Sequence, residues 1–590
     1  MGTLLPALAA AMLAMPGVAA AKAKVASEPA PFGHACKAQD GVRFCPTETL
    51  EERVPTFDGV PLDVDVTLPV SGKGPFPTIV MLHGWEGNKT SFESSTPEGD
   101  GNETYDYNNV YYAQHGYAVL NYSARGWGNS CGTAESRQAA GCAEGWIRLA
   151  DTRYEARDTQ YLLGLLADEK LVKPRSIGVT GISYGGGQSI ELAYLKNRVR
   201  LPGGEFAPWT SPSGKKLEVK AAFPRWPWSD LLDALEPNGR FLDSEIAPPG
   251  QSSEPLGVEI QSYVSGLLAA GEAEGYVAPP GADAEADLAK WFAVINAGEP
   301  PNAEDEAIAK QIYDYHQGYG LGGKPAAMLL ESGWTDDLFP VEQSLRAYNA
   351  ARGEKAYAAL LLGDLGHSPA ANKQNTDLDF NQQAAAFFAA KLQHSGKAPA
   401  SGSVTAYTQT CPVTAAGAGP YTARTFAKLA TGKVTFGGAA AQTFTSAGGN
   451  PALAAELDPI AGTSEACKSV TAETEPDTAT YTTTSSGFTL MGLPTITAHV
   501  ATTGPFGEIA ARLWDVLPSG EQRLISRGIY RLGENETGTI TFQLHGNGYE
   551  FAAGDTVKLE LLGRDAPYYR ASNGVFSVEV SDLTASLPTA

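Results

Sequence analysis

A chain of 590 residues is several times the roughly 100–200 residues of one domain, so at least two folded units and a large core are expected. Hydrophobic residues make up 43% and charged residues 18%, and beyond the N-terminus no apolar run approaches the roughly 20 residues of a membrane span; a polytopic membrane protein and a mostly disordered chain are excluded. The 66 Asp and Glu against 43 Lys and Arg give a net charge of −23, which repels nucleic acid and anionic lipid, and no Lys/Arg cluster offsets it.

Residues 4–15 form a short apolar segment, followed by Pro16, Gly17 and the small Ala19, Ala20 and Ala21, which suit a signal-peptidase site. The first residues carry no Lys or Arg, yet a run this short fits an h-region better than a membrane span, so residues 1–21 read as a signal peptide and the mature chain as secreted, extracellular or in the cell envelope. Six cysteines fall in three sequence-local pairs, Cys36 with Cys45, Cys131 with Cys142 and Cys411 with Cys467. Local pairing is one of 15 connectivities and agrees with an oxidising compartment.

Residues 62–68 alternate apolar and polar after the Asp58-Gly59 turn, a period of two that predicts a half-buried strand. The runs 78–82, 117–120, 176–180, 219–223, 327–330 and 357–362 are continuously apolar instead, as in parallel strands buried on both faces. Helical patterns lie between several of them: Asp151 is expected to cap a helix carrying Tyr154, Arg157, Asp158 and Leu162, and Asp379 another carrying Phe380, Ala384 and Phe387. This alternation predicts a doubly wound α/β sheet. Residues of about 225–322 interrupt it with aromatic, Pro-rich and acidic segments that read as a helical cap inserted within a unit of residues 22–400. After the linker-like SGKAPASG, residues 401–590 are dense in Thr, Val and Gly with short alternating runs, an all-β sandwich of about 190 residues.

The sharpest chemical signal is Gly181-Ile182-Ser183-Tyr184-Gly185, directly after an apolar strand and before a helical stretch. A nucleophile elbow needs this context, because the Ser sits at a strained turn where side chains at the flanking glycines would collide with backbone. The partners expected in chain order are an Asp and then a His, each past a later strand. Asp336 and His367 meet that requirement; Asp337 competes for the acid role, with Asp364 a remote second. The loop Leu82-His83-Gly84-Trp85-Glu86-Gly87 is a candidate oxyanion turn, with the backbone N–H groups of Trp85 and Tyr184 as donors and His83 as a structural turn residue. The eight His are scattered without paired metal-ligand spacing, and Gly185-Gly186-Gly187 lacks the Gly-Lys-Ser/Thr ending of a phosphate loop, so neither metal nor cofactor is expected.

Taken together, Arg125-Gly126-Trp127-Gly128-Asn129-Ser130, Arg157-Asp158, the Ser183 elbow, Phe223-Pro224 through Asp230-Leu231, Gly333-Trp334-Thr335-Asp336 and Gly366-His367 resemble the X-prolyl dipeptidyl peptidase and cocaine esterase family of serine hydrolases. Leu513-Trp514-Asp515-Val516 and Ser581-Asp582-Leu583 look like the jelly-roll domain of that family. The resemblance spans nearly the whole mature chain and implies Ser183, Asp336 and His367 as a triad. It departs from the family at one position: relatives such as cocaine esterase carry a Tyr whose hydroxyl is an oxyanion donor where this chain has Trp85.

The reading is therefore a secreted serine hydrolase acting on a small-molecule ester or a peptide, acyl ester or Xaa-Pro type, through an acyl-enzyme. A peptidase would need cap acids such as Asp230, Asp233 or Glu236 for a substrate ammonium. The alternative is a noncatalytic secreted protein on a relic hydrolase fold that binds carbohydrate or a cell surface. Substrate identity and oligomeric state are not encoded in any recognisable pattern.

Overall fold

The computed structural model describes residues 29–239, 256–462 and 465–590; the expected signal segment lies outside them. A mixed sheet forms the first core, built of β1 (Lys37–Gln39), β2 (Val42–Cys45), β3 (Val64–Pro69), β4 (Phe76–Leu82), β5 (Ala118–Tyr122), β6 (Val172–Ile182), β7 (Val219–Arg225), β8 (Ala327–Gly333), β9 (Ala358–Gly363), β10 (Val404–Thr408) and β11 (Ala418–Ala423). Their spatial order is β1-β2-β3-β5-β4-β6-β7-β8-β9-β10-β11. From β5 to β10 neighbouring strands are parallel, and antiparallel strands flank them on both sides.

The six continuous apolar runs are the inner strands because both faces of the sheet are covered. Val80, Leu82, Val179, Leu330 and Leu362 pack with Leu162, Leu163, Leu192 and Leu345 on one face. Ile79, Met81, Leu329 and Leu361 pack with Tyr112, Phe380 and Phe387 on the other. Every residue has a partner layer, so alternation disappears and hydrophobicity becomes continuous.

Four expectations differ in detail. Residues 62–68 were expected to form a half-buried strand, yet Val64–Pro69 is buried throughout. Asp63 and Asp65 are buried too, because the Lys89 ammonium lies 2.8 and 2.7 Å from their carboxylates. The first helix spans Glu155–Asp168, and Asp151, expected to cap it, pairs instead with the Arg153 guanidinium at 2.6 Å. The later helix begins at Gln374, upstream of Asp379, which sits inside it and accepts from the Tyr407 hydroxyl at 3.2 Å. Finally, the change of unit read at residue 401 precedes the change of sheet: β10 pairs with β9 and β11 with β10, so the first sheet runs on to Ala423.

Between β7 and β8 the chain leaves the sheet to form the helices Leu231–Leu235, Gln261–Glu274, Leu288–Ala297 and Ala303–Tyr315, which sit over the C-terminal ends of the strands. Beyond β11 the described strands form two antiparallel sheets. Ile496, Val500, Leu513, Phe542, Leu559 and Val578 fill the space between them. This is the expected sandwich. Among the described residues no helix is long and apolar enough to cross a membrane.

The three disulfides join Cys36 to Cys45, Cys131 to Cys142 and Cys411 to Cys467, the local pairs read from the sequence. The last closes a span of 56 residues and the first a span of 9. Loop-closure entropy then gives about 4 kcal/mol for Cys411–Cys467 against about 3 kcal/mol for Cys36–Cys45. Chemical denaturation of the two double Cys→Ser variants is expected to rank them in that order, and the intact mass of the parent should rise by six hydrogens on reduction.

Candidate active site

Strand β6 ends at Ile182 and a helix begins at Tyr184, leaving Ser183 alone at the turn with φ 56° and ψ −112°. That conformation is costly for a residue with a Cβ and persists where the surroundings enforce it. Here they do. A Cβ at Gly185 would collide with the carbonyls of Leu82 and His83, and one at Gly181 with the Leu82 carbonyl and the Gly185 backbone. The Ser183 N–H donates to the Arg225 carbonyl at 3.0 Å, tying the elbow to β7.

His367 follows β9 and Asp336 follows β8, and the parallel sheet brings both to the elbow. His367 Nε2 lies 2.7 Å from Ser183 Oγ, and Nδ1 lies 2.8 Å from Asp336 Oδ2. The other Asp336 oxygen accepts the backbone N–H groups of Leu338 at 2.9 Å and Phe339 at 2.8 Å, and Oδ2 also accepts the His367 N–H at 3.2 Å. An ionised carboxylate only accepts, so the imidazole donates from Nδ1 and presents Nε2 as acceptor to the serine hydroxyl. The Phe339 ring stands at 90° to the imidazole with centroids 5.1 Å apart, closing that side against water.

The competing acids are engaged elsewhere. Asp337 faces the sandwich, where Arg527 Nε lies 3.2 Å from its carboxylate. Asp364 accepts from the Thr335 hydroxyl at 2.6 Å and the Ala371 N–H at 3.0 Å. Of the cap acids, Asp230 caps its helix by accepting the Asp233 N–H at 3.0 Å, and Asp233 pairs with Arg346 at 2.7 Å. Glu236 lines the cavity over Ser183.

The loop after β4 is fixed by His83, whose Nε2 accepts the Ala124 N–H at 2.9 Å while Nδ1 donates to the Gly84 carbonyl at 2.7 Å. Burial lowers its pKa to about 4, so it is a neutral strut. Tyr184 opens the elbow helix, where N–H groups lack intrahelical acceptors and the dipole favours negative charge. The Trp85 indole N–H donates to the Leu267 carbonyl of the cap helix Gln261–Glu274 at 2.9 Å. Sequence reasoning missed this contact. Its one local trace is Gly271, buried in that helix, where a Cβ would lie 2.8 Å from the indole.

Above Ser183 opens a cavity with about 930 Å³ of empty space, its mouth included. Its walls are apolar, with Trp85, Trp228, Leu235, Leu268, Phe292 and Phe339 among them, and among the described residues Glu236 and Glu259 bring carboxyl groups to it. Burial, and after it repulsion from Glu259 and Asp305, raises Glu236 to about 8, and burial raises Glu259 to about 7.

A parallel sheet that carries a serine on a strand-to-helix elbow, with a histidine and an aspartate after later strands, defines a serine hydrolase of the α/β-hydrolase class. Residues 58–199 match the family model of the X-Pro dipeptidyl-peptidase (S15 family), and residues 346–581 match that of the X-Pro dipeptidyl-peptidase C-terminal non-catalytic domain. The chain thus belongs to the X-Pro dipeptidyl-peptidase (S15) family of serine hydrolases. Among solved structures it is similar to an alpha-amino acid ester hydrolase, at 14% identity and TM-score 0.57 over 97% of this chain and 100% of that one. It is also similar to a CocE/NonD family hydrolase from Staphylococcus aureus, at 14% identity and TM-score 0.58 over 93% and 94% of the chains. An aminopeptidase from a marine sediment archaeon, Thaumarchaeota archaeon, gives 13% identity and TM-score 0.56 over 92% and 96%. No curated protein matches the chain. At these identities the structural likeness speaks for the fold.

With its indole N–H held by the cap, Trp85 can offer only its backbone amide to a developing oxyanion. Trp85→Phe is therefore expected to lose less than about tenfold in kcat, whereas loss of a true side-chain donor costs about 10²–10³. Steady-state kinetics of the purified variant decide between the two.

Proposed function

We propose that the protein is a secreted serine hydrolase that cleaves esters or amides through an acyl-enzyme on Ser183, and that esters with a bulky apolar acyl group are its preferred substrates. The observation that carries this reading is the continuous relay from Ser183 Oγ through His367 to Asp336, set against an apolar cavity. His367 Nε2 takes the Ser183 proton as Oγ attacks the carbonyl carbon, and the N–H groups of Trp85 and Tyr184 receive the oxyanion. The imidazolium, stabilised by Asp336, returns the proton to the departing alcohol or amine. Water then repeats the sequence on the acyl-enzyme and releases the acid, with no need of a cofactor. The three disulfides support export, as does the apolar leader expected at residues 1–21.

Apolar walls favour an alkyl or aryl acyl group, because transfer from water gains about 25 cal/mol for each Å² buried. One observation favours a second reading, an amine-bearing or peptide substrate: both carboxyl oxygens of Glu259 are buried without a hydrogen-bond partner. A panel of p-nitrophenyl esters of increasing acyl length beside Xaa-Pro-p-nitroanilides separates the two. Rising kcat/KM with acyl length is expected, and a preference for the anilides would transfer the assignment to the peptidase branch.

Ser183→Ala should lose about a million-fold in turnover with folding intact. Asp336→Asn, which leaves the imidazole in the wrong tautomer, should lose up to about four decades, and Asp337→Asn far less. A pH effect follows from the cavity carboxyls, whose pKa values are raised, so that both are neutral below about 7 and charged above about 8. KM for an apolar ester should rise as pH passes from 7 to 9, and Glu236→Gln with Glu259→Gln should flatten that rise.

A further inference from the structure

The sandwich touches both loops that carry the acid and the base. Asp337, next to Asp336 in the chain, is held twice from that side: Arg527 Nε lies 3.2 Å from its carboxylate, and the Tyr568 hydroxyl donates to its carbonyl at 2.7 Å. Arg527 in turn lies over the Tyr568 ring at 4.2 Å and donates to the Leu457 carbonyl at 2.9 Å, and both side chains are buried. The histidine loop is gripped next to His367. Ser368 Oγ donates to the Pro459 carbonyl at 2.9 Å, and the Ala466 N–H donates to the Pro369 carbonyl at 2.8 Å. Tyr263 of the cap, whose hydroxyl donates to the Ser368 carbonyl, packs edge-on against Tyr568 and joins the two grips.

We infer that the β sandwich, through Arg527 and Tyr568, positions the catalytic acid and base. Arg527 and Tyr568 are positioning residues for hydrolysis, acting on Asp336 through Asp337. This rests on the triad reading above. The path is short: the Asp336 carboxylate accepts the N–H groups of Leu338 and Phe339 and so is tied to the turn 336–339, and Asp337 is the residue by which the sandwich holds that turn. A carboxylate displaced by about 1 Å no longer aligns the imidazole with Ser183, an error that costs on the order of 10²-fold in rate. Most of the sandwich lies within residues 346–581, the stretch that matches a domain described as non-catalytic, and in this assignment the sandwich reaches the chemistry without contributing an atom to it.

The test uses the full-length protein with Arg527→Met, Arg527→Lys and Tyr568→Phe. Each is assayed for kcat and KM on an apolar p-nitrophenyl ester, for the rate of Ser183 phosphonylation by a fluorophosphonate, and for its melting temperature. Expected are a fall in kcat of about 10²-fold for Arg527→Met and about three- to tenfold for Tyr568→Phe, with KM changed less than about twofold and phosphonylation slowed in parallel. Arg527→Lys should recover part of the rate. Tyr568→Phe removes a single hydroxyl and carries the test if Arg527→Met does not fold. Variants that melt lower yet turn over and phosphonylate at the parent rate per folded molecule would overturn the inference and leave the triad standing. A parent protein that the fluorophosphonate does not label would overturn the triad reading and this inference with it.

Discussion

Three chain segments cannot occupy the same space at the end of β6, and the site is organised around that exclusion. The Leu82 carbonyl lies so close to Gly181 and Gly185 that neither position admits a Cβ, and the chain between them turns through Ser183 in a left-handed conformation. The approach is possible because β4 and β6 are neighbouring parallel strands whose ends meet at Leu82 and Gly181. One steric condition thus sets the exposure of the nucleophile, the start of the elbow helix and the proximity of the His83-to-Gly87 loop. The placing of Ser183 is in this sense a by-product of backbone packing.

Around that frame several buried charges are neutralised in pairs. The buried Arg125 meets Asp158 at 2.7 Å, and Arg225 meets Glu331 and Asp377 at 3.0 and 2.8 Å. Removing one partner of such a pair leaves an uncompensated buried charge, which costs about 3–5 kcal/mol. None of these residues lines the apolar cavity over Ser183. Glu236 and Glu259 are different, since burial holds them near neutrality without a matching base in hydrogen-bond contact at Glu259.

The inner strands, the elbow and the chain order of Ser183, Asp336 and His367, which the structure brings together, were legible because each leaves a local mark. Continuous apolarity marks double coverage, and paired glycines flank a strained serine. Helix starts were less legible: Asp151 looks like a cap, but its carboxylate is taken by Arg153, a competition that sequence spacing does not display. Burial of Asp63 and Asp65 depended on Lys89, some 24 residues from Asp65. The choice between Asp336 and Asp337 was legible only through family resemblance, because it turns on Arg527, which lies in another domain. The engagement of the Trp85 indole by Leu267 joins segments 182 residues apart and left no pattern beyond one helical glycine.

The continuation of the first sheet into β10 and β11 bears on how this architecture can be cut and recombined. A boundary drawn at the SGKAPASG linker would strip β10 from β9 and leave unpaired amide and carbonyl groups on the apolar edge of a six-residue strand, a template for intermolecular strand pairing. The separable module begins after Ala423, yet Cys411 in the β10–β11 connection is bonded to Cys467 beyond it, so the seam is covalently stitched. Exchange of β sandwiches between relatives is therefore constrained to segments that carry both half-cystines and both strands together, which makes the inheritable unit larger than the visible domain.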